Sequence, residues 1–273
     1  MATLQRFLRP ETLQAHRKPL LIGTAAALAT APLLTYTYKN YRAWLALGRG
    51  GVPYHFLGWL AQATLHLIAR SDTRVPAPYR PEDLEPLYGS AVRTSFFTST
   101  PTPTPLPLPQ RKGSRPVVPT PVAPQRQTSQ RASPAQIEAQ NAFLEAVAQS
   151  NAGLVETKPS VLEGPSHTSL WLRKGDGQAP LPRHLGGNPG EFVHVHPEGS
   201  THCMLSPADA AALIEAGWAE RHKLSGARVV GAPWGYVLVY APRDEGEFAF
   251  WKSVVGASVR FVLDGRGEAV VPE

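Results

Sequence analysis

The sequence is poor in several residue types that would point to a common class of protein. Among 273 residues it has one cysteine, Cys203, which excludes an intrachain disulfide framework and a zinc ribbon. Only 18% of the residues are charged, and residues 91–134 contain no Asp or Glu. Proline is abundant by contrast: there are 28, about twice the usual share, and fourteen lie between Pro76 and Pro134. Much of the chain is therefore expected to lie outside a globular core.

The net charge of +6 is distributed unevenly along the chain. Residues 1–90 carry a net charge of +5 and residues 91–134 carry +6, whereas residues 135–273 carry −5. A nucleic-acid-binding domain needs clustered Lys and Arg on its ordered surface. The acidic C-terminal part does not offer this, so we expect no nucleic-acid partner. The basic N-terminal part can instead lie near anionic lipid headgroups.

Residues 19–38 form an uncharged run that directly follows a basic segment, residues 1–18. Twenty helical residues span about 30 Å, the thickness of the hydrocarbon core of a bilayer. The sequence therefore predicts one transmembrane anchor and a single-pass membrane protein, with the endoplasmic reticulum or another endomembrane as its location. The C-terminal end of the run carries aromatic residues typical of a membrane interface: Tyr36, Tyr38, Tyr41 and Trp44.

Two other targeting signals fit the N-terminal residues less well. A cleaved signal peptide would use the small residues 29–31, but Pro32 follows them and disfavours cleavage. A mitochondrial presequence fits the basic start, but the apolar run is too long for an amphipathic presequence. A second apolar segment, residues 52–70, predicts an amphipathic helix. We therefore expect residues 39–73 to lie next to the membrane and residues 19–70 to contact lipid.

Residues 74–134 are rich in Pro, Thr and Ser and are predicted to form a disordered linker. Prolines at alternate positions, as in residues 101–109, favour an extended polyproline conformation and remove backbone donors. Residues 135–273 are predicted to form the folded domain. Helical and strand signals alternate irregularly there, which indicates an α+β fold with a small mixed or antiparallel sheet and packed helices.

Local signals predict the main elements of this domain. Residues that cap helices mark three starts, and short runs of β-branched and aromatic residues mark three strands. The helices are expected to begin at Ser133, at Ser206 and near Asp244, and the strands are expected at residues 168–173, 191–196 and 236–241.

The densest group of reactive side chains lies within residues 192–203. Residues two apart share one face of a strand, so His194 and His196 are expected to project together. His202 returns after a short turn, and His222 follows a predicted helix. These four histidines are the predicted catalytic residues, because general acid–base catalysis near neutral pH is the chemistry that histidine performs most readily.

Metal binding is the alternative use of such a cluster. A cupin-like site would have a Glu four or five residues after the second histidine, where this chain has Ser200 and Thr201, and Glu198 comes too early. A zinc site formed by the three histidines of this segment stays open, but it needs a further carboxylate or water. The missing carboxylate favours an acid–base site, and no metal ligand is assigned.

Three short motifs follow one another in the C-terminal part: His194-Val-His196, Gly217-Trp-Ala-Glu-Arg-His-Lys-Leu-Ser-Gly226 and Tyr240-Ala-Pro-Arg243. In this order they resemble the fungal luciferase family, which also has many relatives in non-luminous organisms. Residues 41–48 and 53–58 are similar to the membrane-proximal segment of that family. The turn at residues 197–200 resembles the non-luminous branch.

The resemblance implies an enzyme that oxidises a hydroxylated styryl-pyrone with dioxygen as co-substrate and without a flavin or metal cofactor. It implies proton transfer by the four histidines, an aromatic pocket formed by Trp218 and Tyr240, and an enolate held by Arg221 and Arg243. The expected function is a membrane-anchored, cofactor-independent oxygenase of a small phenolic or pyrone metabolite. A non-catalytic, membrane-tethered module that binds a ligand or protein, and a histidine-bound metal hydrolase, are the alternatives.

Overall fold

The computed structural model describes residues 17–103, 107–174 and 180–273, and the chain divides into residues 1–46 and 47–273. In the first unit, helix α1 (Arg17–Leu45) contains the uncharged run of the predicted anchor. Within the described ranges, α1 is the one helix whose length and composition suffice to cross a membrane. Most of the predicted basic segment lies outside the described residues, which begin at Arg17.

The second unit is built on a six-stranded sheet in which all neighbouring strands are antiparallel. The predicted α+β class is therefore confirmed, with the sheet antiparallel rather than mixed. The strands are β1 (Val155–Ser160), β2 (Gly164–Leu172), β3 (Glu191–Val195), β4 (Thr201–Met204), β5 (Ala219–Arg221) and β6 (Tyr236–Val239). They lie in the order β1-β2-β3-β4-β6-β5, and the strands predicted at residues 168–173, 191–196 and 236–241 correspond to β2, β3 and β6.

Five α-helices accompany this sheet in the described part of the second unit. Helix α4 (Pro134–Ser150) contacts β1, β2 and β3, helix α6 (Glu245–Leu263) contacts β3 and β4, and helix α5 (Pro207–Glu215) contacts β5. The buried apolar residues of these elements form the core. The core takes up one face of β3 and β4, including Val193, Val195 and Cys203. The other two helices are α2 (Phe56–Leu65) and α3 (Pro81–Tyr88).

The three predicted helix starts are confirmed by their cap hydrogen bonds. The Ser133 hydroxyl accepts a hydrogen bond from the backbone N–H of Gln136, which completes a capping box at α4. Ser206 caps α5 through the backbone N–H of Asp209, at 3.0 Å. The side chain of Asp244 caps α6 in the same way. Each cap satisfies a backbone donor that the first turn of a helix leaves without a partner.

The structure differs from the predicted linker, residues 74–134. Helix α3 lies within this segment, and the later part packs against the sheet, where Val122, Gln125 and Arg126 are each at most 4% exposed. Part of the proline run, residues 104–106, lies outside the described residues. The predicted domain start at residue 135 therefore comes too late for the packed unit, which already includes residue 47.

Side chains of the domain hold this segment by its backbone carbonyls. Proline removes the N–H donor of a residue but leaves its carbonyl free to accept a hydrogen bond. The ammonium group of Lys223 donates to the carbonyls of Pro119 and Thr120, each at 2.6 Å. The backbone N–H of Val122 in turn donates to the side chain of Gln62 in α2, at 3.1 Å. An extended, proline-rich chain is thus fixed without entering the sheet.

The turn between β3 and β4 requires glycine at position 199, where φ is +89°. A Cβ atom there would also overlap the side chain of Ala132. We expect Gly199→Ala to lower the free energy of unfolding by about 1–3 kcal/mol, because the residue would be held in a left-handed conformation. Urea unfolding of the full chain in detergent measures this. In the matched control Gly153→Ala, the new Cβ meets no heavy atom within 4 Å, and equal losses in the two variants would contradict the argument.

Candidate functional site

Three histidines meet on the face of β3 and β4 opposite the one that carries Val193, Val195 and Cys203. His194 in β3 and His202 in β4 are directly paired across the two strands. His196 comes two residues after His194 and so lies on the same side. The ring centroids of the three histidines are 5.2, 5.3 and 4.8 Å apart. His222, which follows β5, has its ring centroid 5.1 Å from that of His202.

A carboxylate that the sequence analysis missed completes this group. Glu163 lies in the turn between β1 and β2 and is 5% exposed. Its Oε1 atom is 3.2 Å from Nε2 of His196 and 3.9 Å from Nε2 of His194. Its Oε2 atom forms an ion pair with the buried Arg126, which also donates to the carbonyl of Leu47 at 2.7 Å. We call the three histidines and Glu163 the histidine–glutamate cluster.

The Nδ1 atom of each histidine in the cluster has a partner on the outer side. The Ser200 hydroxyl donates to the Glu198 carboxylate at 2.5 Å. Its oxygen therefore accepts a hydrogen bond from Nδ1 of His196. In the neutral rings the proton is therefore on Nδ1, and Nε2 presents a lone pair. The partners are Glu191 Oε1 at 2.7 Å from His194, Ser200 Oγ at 2.8 Å from His196, and Val237 O at 3.2 Å from His202.

Burial and charge act in opposite directions on the ionisable groups of the cluster. Burial raises the pKa of Glu163, but the attraction of His196 and Arg126 outweighs it and holds this pKa well below its usual range. Burial lowers the pKa of His196, but Glu163 and Glu198 outweigh it and raise this pKa to about 9. For His202, burial first and the neighbouring histidines second lower the pKa well below 6.5. Near pH 7 the site thus holds an ionised Glu163 paired with a protonated His196, and His202 beside them is neutral.

A cavity of about 270 Å³ opens beside the cluster. Polar groups on its wall come from Glu163, His202, His222 and Tyr236, and much of the remaining lining is apolar. The other two histidines of the cluster lie behind this wall. The volume is close to the lower end of the range for small-molecule sites, so the cluster meets a space of metabolite size through Glu163 and His202.

His222 presents a hydrogen-bond donor at this cavity. The backbone N–H of Leu224 donates to Nδ1 of His222 at 3.0 Å, so the neutral ring carries its proton on Nε2. Burial, with a smaller contribution from Lys223, lowers the pKa of His222 to about 3. The ring centroid of Tyr236 is 4.7 Å from that of His202 and 4.9 Å from that of His222. The cavity therefore has an aromatic wall beside a neutral N–H donor.

The four residues expected to bind substrate do not line this cavity. Each makes a polar contact with the segment predicted as a linker, and together they hold that segment on the domain. Three of the four donate to its backbone carbonyls. The contacts join Trp218 Nε1 to Pro109 O at 2.6 Å, Arg221 Nη2 to Pro76 O, Arg243 Nη2 to Lys112 O at 2.8 Å, and Tyr240 Oη to Arg115 Nη1 at 3.5 Å.

Comparison with known proteins finds a luciferase-like region around this site. Residues 189–258 match the family model described as Luciferase domain, a range that includes all four histidines but not Glu163. The luciferase of Armillaria gallica is 30% identical over 83 residues, which are 30% of this chain and 31% of the relative. The luciferase of Armillaria mellea is 32% identical over 76 residues, or 27% of this chain and 29% of the relative.

The luciferase of Neonothopanus nambi is 30% identical over 83 residues, again 30% of this chain and 31% of the relative. The chain thus spans about a third of the length of the curated relatives that it matches. No solved structure matches this chain. The resemblance to the fungal luciferase family is confirmed for this region, whereas the similar segments at residues 41–48 and 53–58 lie outside the range of the family model.

Proposed function

We propose that this protein is a membrane-anchored enzyme that oxidises a small phenolic or pyrone metabolite with dioxygen. The proposal rests chiefly on one observation, the convergence of the histidine–glutamate cluster on a cavity of metabolite size. The resemblance of residues 189–258 to fungal luciferases supports the choice of an oxidation.

The cavity offers what this reaction requires. An electron-rich enol must lose a proton before it reacts with dioxygen, and the developing oxyanion must be stabilised away from water. The Nε2–H group of His222 donates to such an oxygen, and Tyr236 packs against a flat ring. The Nε2 lone pair of His202 lies on the same wall and accepts a proton or holds an electrophile.

Helix α1 supports membrane anchoring as a part of this proposal. Its uncharged run, residues 19–38, is long enough to cross a bilayer, and aromatic residues follow at the C-terminal end. We expect the full chain to stay in the membrane pellet of an endomembrane fraction after alkaline carbonate extraction. Full release into the supernatant would contradict the anchor without affecting the proposed reaction.

Oxygen uptake tests the reaction directly. The full chain, purified in detergent, is mixed with a panel of hydroxylated styryl-pyrones and simple phenols, and dioxygen consumption is followed with an electrode. We expect consumption that depends on one substrate class and is lost in His202→Ala. The matched control is His184→Phe, which replaces a half-buried histidine stacked on Phe261 at 4.5 Å. Saturable binding of a panel member without oxygen uptake would instead identify a binding module.

Two substitutions at His222 test the roles of its two ring nitrogen atoms separately. Asparagine can still accept from the backbone N–H of Leu224 but has no group at the position of Nε2, whereas glutamine places an amide N–H near that position. We expect His222→Asn to lower kcat by about 10²–10³-fold, the effect of removing one oxyanion donor. His222→Gln should retain more of the rate. Equal rates in both variants and the wild type would contradict the role of this donor.

A further inference from the structure

We propose that the histidine–glutamate cluster binds one divalent transition-metal ion through Nε2 of its three histidines and Oε1 of Glu163. The proposal goes beyond the oxidation proposed above and does not depend on it, because it concerns the geometry of the four ligands and not the substrate. It also differs from the metal-free reaction that the family resemblance implies. Glu163, the ligand that sequence reasoning lacked, lies outside the matched residues 189–258.

The distances between the candidate ligand atoms are close to those of a coordination shell. One ring nitrogen from each of the three histidines lies within 4.8 Å of the others. Glu163 Oε1 is 3.2 and 3.9 Å from the Nε2 atoms of His196 and His194. Ligands about 2.0–2.2 Å from a shared ion are about 3.0–3.6 Å from one another. Side-chain movements of about 1 Å therefore suffice to bring the four atoms around one ion.

Two of the three inward nitrogen atoms have no hydrogen-bond partner in the described part of the chain. Nε2 of His194 and Nε2 of His196 are buried and make no hydrogen bond, although Glu163 Oε1 is near both. The two side chains are 1% and 0% exposed. A buried polar atom without a hydrogen bond destabilises the fold. A shared ion would satisfy two such atoms, because they lie on adjacent rings and face one carboxylate oxygen.

The outer contacts orient the rings as metal-binding histidines are oriented. Metal-binding histidines almost always donate from the other ring nitrogen to a carboxylate, carbonyl or water. All three rings follow this pattern, with one carboxylate, one hydroxyl that is itself bonded to a carboxylate, and one backbone carbonyl as acceptors. If the three histidines only transferred protons to and from solvent, their Nε2 atoms would not all need to point inward as acceptors.

The buried charge of the surroundings also favours a cation. Glu163, Glu191 and Glu198 are between 1% and 7% exposed, and Arg126 supplies one positive charge among them. These four groups leave a net charge of −2 in a buried region, which is costly unless protonated histidines or a bound cation compensate it. A divalent ion provides this compensation. Because Glu163 and His202 also line the cavity, the ion is placed next to the space for substrate.

The donor set selects the class of ion. Imidazole suits zinc, copper, iron and nickel, whereas calcium and magnesium require a shell of oxygen atoms. Three imidazoles and one carboxylate therefore fit a first-row transition metal and not an alkaline-earth ion. Because Glu163 Oε2 is held by Arg126, its carboxylate offers the ion one oxygen atom.

Metal titration of the full chain tests this site without any substrate. Protein purified in detergent is stripped with a chelator and titrated separately with Zn²⁺, Co²⁺, Fe²⁺ and Mn²⁺, and with Mg²⁺ for comparison. We expect about one transition-metal ion per chain, a Co²⁺ visible spectrum typical of mixed nitrogen and oxygen ligands, and a higher melting temperature. Mg²⁺ should produce none of these.

Two variants distinguish the proposed ligands from other binding groups. We expect Glu163→Gln to weaken the affinity for Co²⁺ by at least about 10- to 100-fold, since even outer-shell changes have effects of this size. The matched control Glu156→Gln alters a carboxylate of β1 whose ion-pair partners are Lys158 and Arg173, and this variant should bind the metal normally. A folded wild type without stoichiometric metal, or unchanged affinity in Glu163→Gln, would overturn the proposal. Metal binding without oxygen uptake would refute the proposed reaction alone, and oxygen uptake by a protein that fails to bind any of the titrated metals would refute the metal site alone.

Discussion

Glu163→Ala is expected to lower the free energy of unfolding of the metal-free protein by about 3–5 kcal/mol, the cost of breaking a buried ion pair. The substitution leaves the Arg126 guanidinium, 4% exposed, without its carboxylate. The two carbonyls that also accept from Arg126 carry no charge and compensate it only in part. Urea unfolding of the full chain in detergent measures the loss, with a chelator present to exclude any contribution from bound metal.

A double substitution shows whether the loss comes from the unpaired charge. Arg126→Met combined with Glu163→Leu removes both charges and retains similar volume, so we expect it to recover more than half of the lost stability. Each single substitution should be less stable than the pair. If Glu163→Ala unfolds within about 0.5 kcal/mol of the wild type, a change typical of an exposed position, the buried pair does not have the role assigned to it.

Trp251→Ala is expected to have an effect of the same size, about 3–5 kcal/mol, because it leaves a large cavity in the core. The Trp251 ring is 2% exposed and lies edge-on to Phe143 of α4, with centroids 5.9 Å apart. Its indole N–H donates to the hydroxyl of Thr201 in β4 at 2.9 Å. The residue thus joins two helices to the strand that carries His202.

The control for this position is Trp251→Phe, which retains an aromatic ring but loses the hydrogen bond to Thr201. We expect a smaller loss of stability, since part of the volume remains and one neutral hydrogen bond contributes about 0.5–1.5 kcal/mol. Both variants are compared by thermal and urea unfolding. A loss in Trp251→Phe as large as in Trp251→Ala would show that the hydrogen bond, and not the volume, is decisive.

Helix starts and three of the strands were predictable because their signals are local. Ser133, Ser206 and Asp244 mark their helices by a side chain that caps the first turn, whatever the rest of the fold does. The strands that prediction missed carry weaker local signals than β6, which consists of Tyr, Val and Leu: β1 contains Pro159, β5 has three residues, and β4 contains a single β-branched residue. Such strands are stabilised by their neighbours in the sheet.

The remainder of the site depends on contacts that are distant in the sequence. His194 and His196 share a face by strand periodicity, so their joint position followed from the sequence. Glu163 joins them because β1 and β2 form the neighbouring part of the sheet, which no spacing rule around the histidines indicates. The proline-rich segment was misread for a similar reason. Its composition predicts disorder, but carbonyl acceptors along it meet side chains such as Trp218 and Lys223 on the domain.

The central claim is that the histidine–glutamate cluster is the reactive centre. The most direct measurement is the initial rate of dioxygen consumption with a hydroxylated styryl-pyrone, compared between the wild type and Glu163→Gln below the melting temperature of both. Our account predicts a loss of at least about 100-fold in Glu163→Gln, the size typical of a lost electrostatic contribution to the transition state, with Glu156→Gln unchanged. Wild-type rates in Glu163→Gln would contradict the account.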